Sequence, residues 1–289
     1  MNHRTAVVLH AALCALAAML VTARPLASQS ASAAHAALPA DRVPAHDSFT
    51  VASRALGEPR LVNVYTPAAY RGADSSSGRR FPVLYMPDGG LDEDFPHVVN
   101  TVDSLIALGV IRPVIVVGIP NTQRRRDLTG PTRVAADSAI ASRIGGSAAF
   151  RQFLREELIP AVAARYRTTG QRAIVGESLA GLFVVETFLL EPALFDRYIA
   201  LDPSVGWDRR SLVDSLAPLR LATMDGRERR LFLASSNTPE IAAPTARLAE
   251  RLGTARRPGL SWSYEPRLDL THATIFRAIG PKALATVLE

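Results

Sequence analysis

Ala173-Ile174-Val175-Gly176-Glu177-Ser178-Leu179-Ala180-Gly181-Leu182 passes from a short apolar, β-branched run, through a serine, into a second apolar run. Such a stretch reads as a strand that turns sharply into a helix with Ser178 at the elbow. A serine held in a strained turn leaves little room beside it, so small residues are needed on both sides. Gly176 and Ala180 supply them, with Gly181 behind. The common spacing is G-x-S-x-G, and Ala180 departs from it by one methyl group. A strand and helix joined at an incidental serine would have the same local appearance, so the rest of the chain has to arbitrate.

Outward from this stretch, strands and helices alternate. Ser48 to Ala55 and Arg60 to Tyr65 predict an antiparallel opening pair separated by Gly57-Glu58-Pro59. Phe81 to Met86 predicts a third strand after the polar Gly72–Arg79 loop, and the β-branched run Pro113 to Ile119 a buried parallel strand. Ala148 to Tyr166 carries Phe150, Phe153, Leu154, Leu158 and Val162 at helical spacing. After the Ser178 elbow, strands are expected at Tyr198–Leu201, Leu231–Ala234 and Leu260–Tyr264. Helices are expected at Ala243–Leu252 and from about Thr274 to Leu288. This alternation predicts an α/β architecture with a mostly parallel central sheet, helices on both faces and no separate large cap domain. In such sheets ligands sit outside the carboxyl ends of the strands.

A serine hydroxyl needs a base to become a nucleophile. His46 precedes the first strand and His97 follows the third. His272, in Asp269-Leu270-Thr271-His272-Ala273-Thr274, follows the last strand, the position expected of a base that comes after the serine in chain order. An acid should orient that imidazole. Leu231–Ala234 leads into Ser235-Ser236-Asn237-Thr238-Pro239-Glu240, which makes Glu240 the first choice. Asp202, one strand earlier, is the alternative, and Glu240 reads equally as an acid favouring the start of the next helix. Donors for a developing oxyanion are expected from the Leu179 amide and from Asp88-Gly89-Gly90-Leu91, with Gly90 as the second donor.

The 289-residue chain has a formal net charge of +6. Lys282 is its only lysine, so arginine supplies nearly all of the 33 basic side chains, scattered among acids rather than gathered into a stripe. That distribution argues against a nucleic-acid partner. Arg4, the apolar run Ala6 to Val21 and the small residues up to Ala40 are the parts of a secretory signal. Residues 1–34 are therefore expected to be a signal peptide and small-residue linker, with cleavage contexts at Val21-Thr22-Ala23 and Ser32-Ala33-Ala34, and residues 45–289 one catalytic domain. The run is short for a membrane span, so no stable insertion is expected after cleavage. Cys14, the only cysteine, lies in this leader, which leaves no disulfide, thiolate or cysteine metal site in the mature chain.

Phe81–Gly90, Gly176–Leu182, Asp202-Pro203-Ser204 and the His272 loop together resemble the putative-esterase family of α/β-hydrolases, over roughly Phe49 to Leu288. The resemblance implies the α/β-hydrolase fold, with Ser178 as nucleophile, His272 as base, and Gly90 and Leu179 as oxyanion donors. It also implies Glu240 as the acid, since a Glu follows this strand in the siderophore-esterase-like branch. The expected activity is that of an exported serine esterase working through an acyl-enzyme on a small-molecule ester, with no metal or cofactor. An acyltransferase using the same site, or a silent binding relative of the fold, are the alternatives. Arg124, Arg125 and Arg126, in the loop after the fourth strand, are candidates for a substrate carboxylate or phosphate, unless one pairs with Asp127 and the others face water. Trp207 is a candidate pocket wall.

Overall fold

The computed structural model describes residues 41–71 and 78–289. The expected leader, residues 1–34, lies outside the described residues, as does most of the Gly72–Arg79 loop. Among the described residues eight strands form one sheet: β1 (Asp47–Ser53), β2 (Glu58–Tyr65), β3 (Phe81–Pro87), β4 (Ile115–Ile119), β5 (Thr168–Glu177), β6 (Arg197–Leu201), β7 (Arg229–Ser235) and β8 (Leu260–Pro266). Their order is β1-β2-β4-β3-β5-β6-β7-β8. β1 pairs antiparallel with β2, and β2 with β4. All other neighbours are parallel. Strand order therefore reverses around β3 and β5, and the crevice of such a sheet opens at the carboxyl ends of those strands.

The inner strands read as continuous apolar runs because both faces are covered. Ile174, Tyr198, Leu231 and Leu233 point to one side. Ala173, Val175, Ile199 and Phe232 point to the other. On this second side lie α1 (Phe95–Ala107) and the closing helix, whose Ile275, Ile279 and Leu284 pack onto the strands. On the first side lie α2 (Ser178–Leu190), α3 (Pro239–Ala255) and the helical stretch Ser147 to Arg165, which widens into a π turn at Leu154–Leu158. α4 (His272–Leu288) is that closing helix, and it starts two residues before the expected Thr274. α2 is apolar on every side apart from Glu186 and Thr187, and Ala180 to Leu189 are all buried. A helix of that kind belongs in a protein interior.

The missing glycine in the elbow has a simple account. A Cβ on Gly176 would lie 2.6 Å from the Ala180 carbonyl carbon and 2.8 Å from the Ala180 methyl. The bare Gly176 thus makes the space that the Ala180 methyl fills, and one glycine of the pattern is enough to close the turn. Because the obstruction is backbone, it cannot move aside. Gly176→Ala is expected to destabilise the fold by about 3 kcal/mol or more, read as a shift of the urea midpoint at unchanged slope. A loss under about 0.5 kcal/mol would contradict this packing.

Candidate active site

Three strands end at the crevice in a non-glycine residue with left-handed backbone: Asp88 after β3 (φ 54°), Ser178 after β5 (φ 57°) and Asp202 after β6 (φ 46°). Such positions cost free energy and gather where side chains must be aimed. At Ser178 the turn is the expected elbow. It leaves the side chain partly exposed at the first position of α2, where the opening amides of a helix have no intrahelical acceptor. The Leu179 amide is one of these.

His272 donates or accepts at both ring nitrogens: Nε2 lies 3.2 Å from Ser178 Oγ, and Nδ1 lies 2.6 Å from Asp202 Oδ2. The imidazole is placed by the start of α4. There Thr271 and Thr274 cap one another, with the Thr271 amide donating to Thr274 Oγ1 at 3.0 Å. The loop before it is tied to the end of β7, where Asn237 N–H donates to the Leu270 carbonyl (2.9 Å) and Arg267 N–H to the Ser235 carbonyl (2.7 Å).

The acid at His272 is Asp202, which corrects the expectation of Glu240. The chain leaving β7 enters α3 at Pro239, so Glu240 sits exposed in the first turn of that helix. It serves there as an acid at a helix N-terminus. β6, by contrast, is the direct neighbour of β5, and sheet neighbours lie only about 4.8 Å apart. Asp202 is fully buried and accepts from the Ser236 amide (2.6 Å), from Ser236 Oγ (2.8 Å) and from the imidazole. Gly181 lets this segment approach α2, since a Cβ there would come within 3.0 Å of Pro203 Cα. Burial favours the neutral acid, but the hydrogen bonds from His272 and Ser236 outweigh it and hold the carboxyl below its ordinary range. The signal for Asp202 in the sequence is an aspartate directly after a buried strand, one of the residue types that tolerate left-handed backbone.

The electrostatics fit a base poised to take a proton. His272 is raised above its ordinary 6.5, first by the hydrogen bond to Asp202 and against the pull of burial, with the Glu177 charge adding to the rise. Glu177 is itself pushed up to about 7, chiefly by burial and further by the charges of Asp94, Asp202 and Asp88. Burial likewise lifts Asp94 to about 6. The other two histidines lie elsewhere: His46 Nδ1 meets the Pro44 carbonyl at 2.8 Å, and His97 packs on Phe276.

The oxyanion loop also departs from expectation. The Gly90 amide donates to Glu93 Oε2 at 2.7 Å, so it is already engaged. Asp88 to Asp94 closes into a tight turn, with Glu93 N–H donating to the Gly90 carbonyl (3.2 Å) and Asp94 N–H to the Asp88 carbonyl (3.1 Å). Glu93 reaches back three residues, as the acid of a capping box does. Asn121 Nδ2 donates to Glu93 Oε1 (2.7 Å) and holds it in place.

The three arginines separate. Arg124 grips Asp88 with two bonds, Nε to Oδ1 (2.7 Å) and Nη2 to Oδ2 (2.8 Å), so it braces the β3 turn. Arg126 donates to Asp127 (2.6 Å) and Glu58 (2.7 Å), beside the fully buried Arg60–Asp127 pair. Only Arg125 of the three is exposed. Trp207 donates from Nε1 to the Gly130 carbonyl (2.9 Å) and walls an apolar cavity of about 390 Å³ with Leu182, Leu190, Leu212, Leu216 and Leu219. Ser178 and His272 are not among the residues of that wall.

A mostly parallel sheet with a serine elbow after β5 and a histidine after the last strand defines an α/β-hydrolase. Residues 53–237 match the family described as Putative esterase, and the chain belongs to it. It is 31% identical over 153 residues to the ferri-bacillibactin esterase BesA of Bacillus subtilis (strain 168), covering 45% of this chain and 50% of that protein. It is also 31% identical over 165 residues to the siderophore triacetylfusarinine C esterase of Aspergillus fumigatus, covering 53% of each. The chain thus spans about half the length of these curated relatives. Among solved structures, an IroE-like serine hydrolase from Shewanella oneidensis superposes with a TM-score of 0.70 at 26% identity, over 84% of this chain and 79% of that one. The BES protein from Bacillus cereus, at 19% identity and a TM-score of 0.73 over 87% and 100% of the two chains, shares the fold.

Proposed function

We propose that the protein is an exported serine esterase acting on a carboxylic ester of the siderophore type. The observation that carries this reading is the unbroken hydrogen-bonded chain Ser178–His272–Asp202 at the crevice of the sheet. Ser178 Oγ attacks the ester carbonyl carbon while His272 Nε2 takes its proton. Asp202 holds Nδ1 protonated and stabilises the imidazolium. The Leu179 amide, at the start of α2, donates to the oxyanion. His272 then returns the proton to the departing alkoxide, leaving an acyl-serine. A water molecule, deprotonated by the same imidazole, attacks this ester, and His272 passes that proton to Ser178 Oγ as the acyl bond breaks and the acid leaves. The siderophore class is supported by the two relatives named as siderophore esterases, and export by the composition of residues 1–34.

A fluorophosphonate probe should label the protein, and p-nitrophenyl and siderophore esters should be hydrolysed. Failure of both labelling and hydrolysis would sink the reading. Acyl transfer to added alcohol in preference to water would turn it toward an acyltransferase. The acid limb of kcat/KM is expected to rise with pH through a midpoint above 6.5. The neutral imidazole is the active form, and a raised affinity for the proton delays its appearance to higher pH. Glu177→Gln removes a charge that favours the imidazolium, so the midpoint should move to lower pH. An unmoved or upward midpoint would contradict that role.

A further inference from the structure

The loop after β4 and the segment that follows it line an open surface cavity of about 360 Å³, walled by Gln123, Arg124, Arg125, Arg126, Ala141, Ser142 and Arg143. No carboxylate among the described residues lines it. The chain places acids on Arg124 and Arg126, which brace Asp88, Asp127 and Glu58. Arg125 and Arg143 have no carboxylate partner among the described residues, and both are exposed. Gln123 ties Arg143 to Arg126, its amide oxygen accepting from Arg126 Nη1 (2.9 Å) and Arg143 Nη1 (3.2 Å). The Ser142 side chain adds a hydroxyl to the same wall.

A single arginine facing water needs no explanation. Two that converge on one concave, acid-free wall, while their neighbours are neutralised, make a receptor for oxyanions. Guanidinium donors match carboxylate geometry in pairs. The cavity also has a link to the reacting centre. Arg124 belongs to its wall, and the same guanidinium grips Asp88 at the end of β3, the strand beside β5 and its Ser178 elbow. The volume is that of a small-molecule subsite.

We propose that this cavity binds an anionic group of the ester substrate, with Arg125 and Arg143 as its two guanidinium donors. The proposal rests on Ser178 being the nucleophile of an esterase, and it adds Arg143, a residue far from the arginine triplet in the expected site. It predicts a preference for esters that carry a second, free carboxylate over neutral esters of the same length.

The test compares mono-p-nitrophenyl glutarate with p-nitrophenyl butyrate in the wild type and in the Arg125→Ala/Arg143→Ala double variant. The ratio of kcat/KM, anionic over neutral, should fall about 10- to 100-fold in the double variant, mostly through KM. It should recover in part in Arg125→Lys/Arg143→Lys, which keeps charge but loses the fork. A ratio that the alanine pair leaves unchanged overturns the proposal while leaving the esterase reading intact. If the wild type hydrolyses neither these nor siderophore esters and takes no fluorophosphonate label, the esterase reading fails. Calorimetric titration of the Ser178→Ala protein with glutarate then decides the site: saturable binding lost in the double variant supports it, and no binding overturns it. Equal binding of glutarate and inorganic phosphate, with no preference for the anionic ester, marks a general anion site and also overturns the substrate assignment.

Discussion

Ser178→Ala is expected to lower kcat by about 10⁶-fold on any ester the protein turns over, and to abolish labelling by a fluorophosphonate. The size of the loss follows from the geometry. His272 Nε2 lies 3.2 Å from Ser178 Oγ, and no other hydroxyl among the described residues is aligned with that nitrogen. Without Oγ there is no covalent step, and only polarisation by the helix-start amide and positioning remain. Those leave about 10³–10⁴ over the uncatalysed rate. Folding should be unaffected, since Ser178 is only partly buried and its backbone carbonyl keeps the bond from Ser204 N–H (3.0 Å). A variant that retains a tenth of the activity would remove Ser178 from the nucleophile's role.

Asp202→Asn should cost about 10⁴-fold in kcat, while Glu240→Gln should stay within about threefold of wild type. An asparagine at 202 presents an N–H₂ or a neutral carbonyl to Nδ1. Either the imidazole turns its lone pair toward residue 202 and can no longer accept from Ser178, or the imidazolium loses its countercharge. Asp202 already accepts both bonds that Ser236 offers, so the buried amide cannot restore the arrangement by rotating. Glu240 stands exposed in the first turn of α3, and its removal costs a few tenths of a kcal/mol of helix stabilisation at most. The paired measurement is discriminating: a near-normal Asp202→Asn beside an inactive Glu240→Gln would restore the acid expected from the sequence.

Much of this site is legible in the order of the amino acids. The apolar β-branched runs fit strands buried on both faces, because period-two alternation is absent from them. Gly176-Glu177-Ser178-Leu179-Ala180 marks its elbow because a close turn restricts residue size, and that restriction is written in the residues themselves. His272 follows from chain order. The departures from expectation share one cause. Glu240 and Asp202 both follow predicted strands, and which carboxylate meets the imidazole depends on strand adjacency and on where the chain goes afterwards. β6 borders β5, whereas the chain after β7 turns into a helix within a few residues. The arginines show the same limit. Arg124, Arg125 and Arg126 are consecutive, yet Arg124 braces Asp88, Arg126 joins Glu58 and Asp127, and Arg125 shares a cavity with the distant Arg143.

By itself the sequence determined the α/β architecture, the elbow at Ser178 and the place of His272 after the last strand. Local backbone preference, burial periodicity and chain order govern those features, and each is carried by neighbouring residues. The tertiary structure decided that Asp202 is the acid at the imidazole, that Glu93 occupies the Gly90 amide, and that Arg143 joins Arg125. Those pairings depend on the spacing of side chains that the sheet brings together from far apart in the chain.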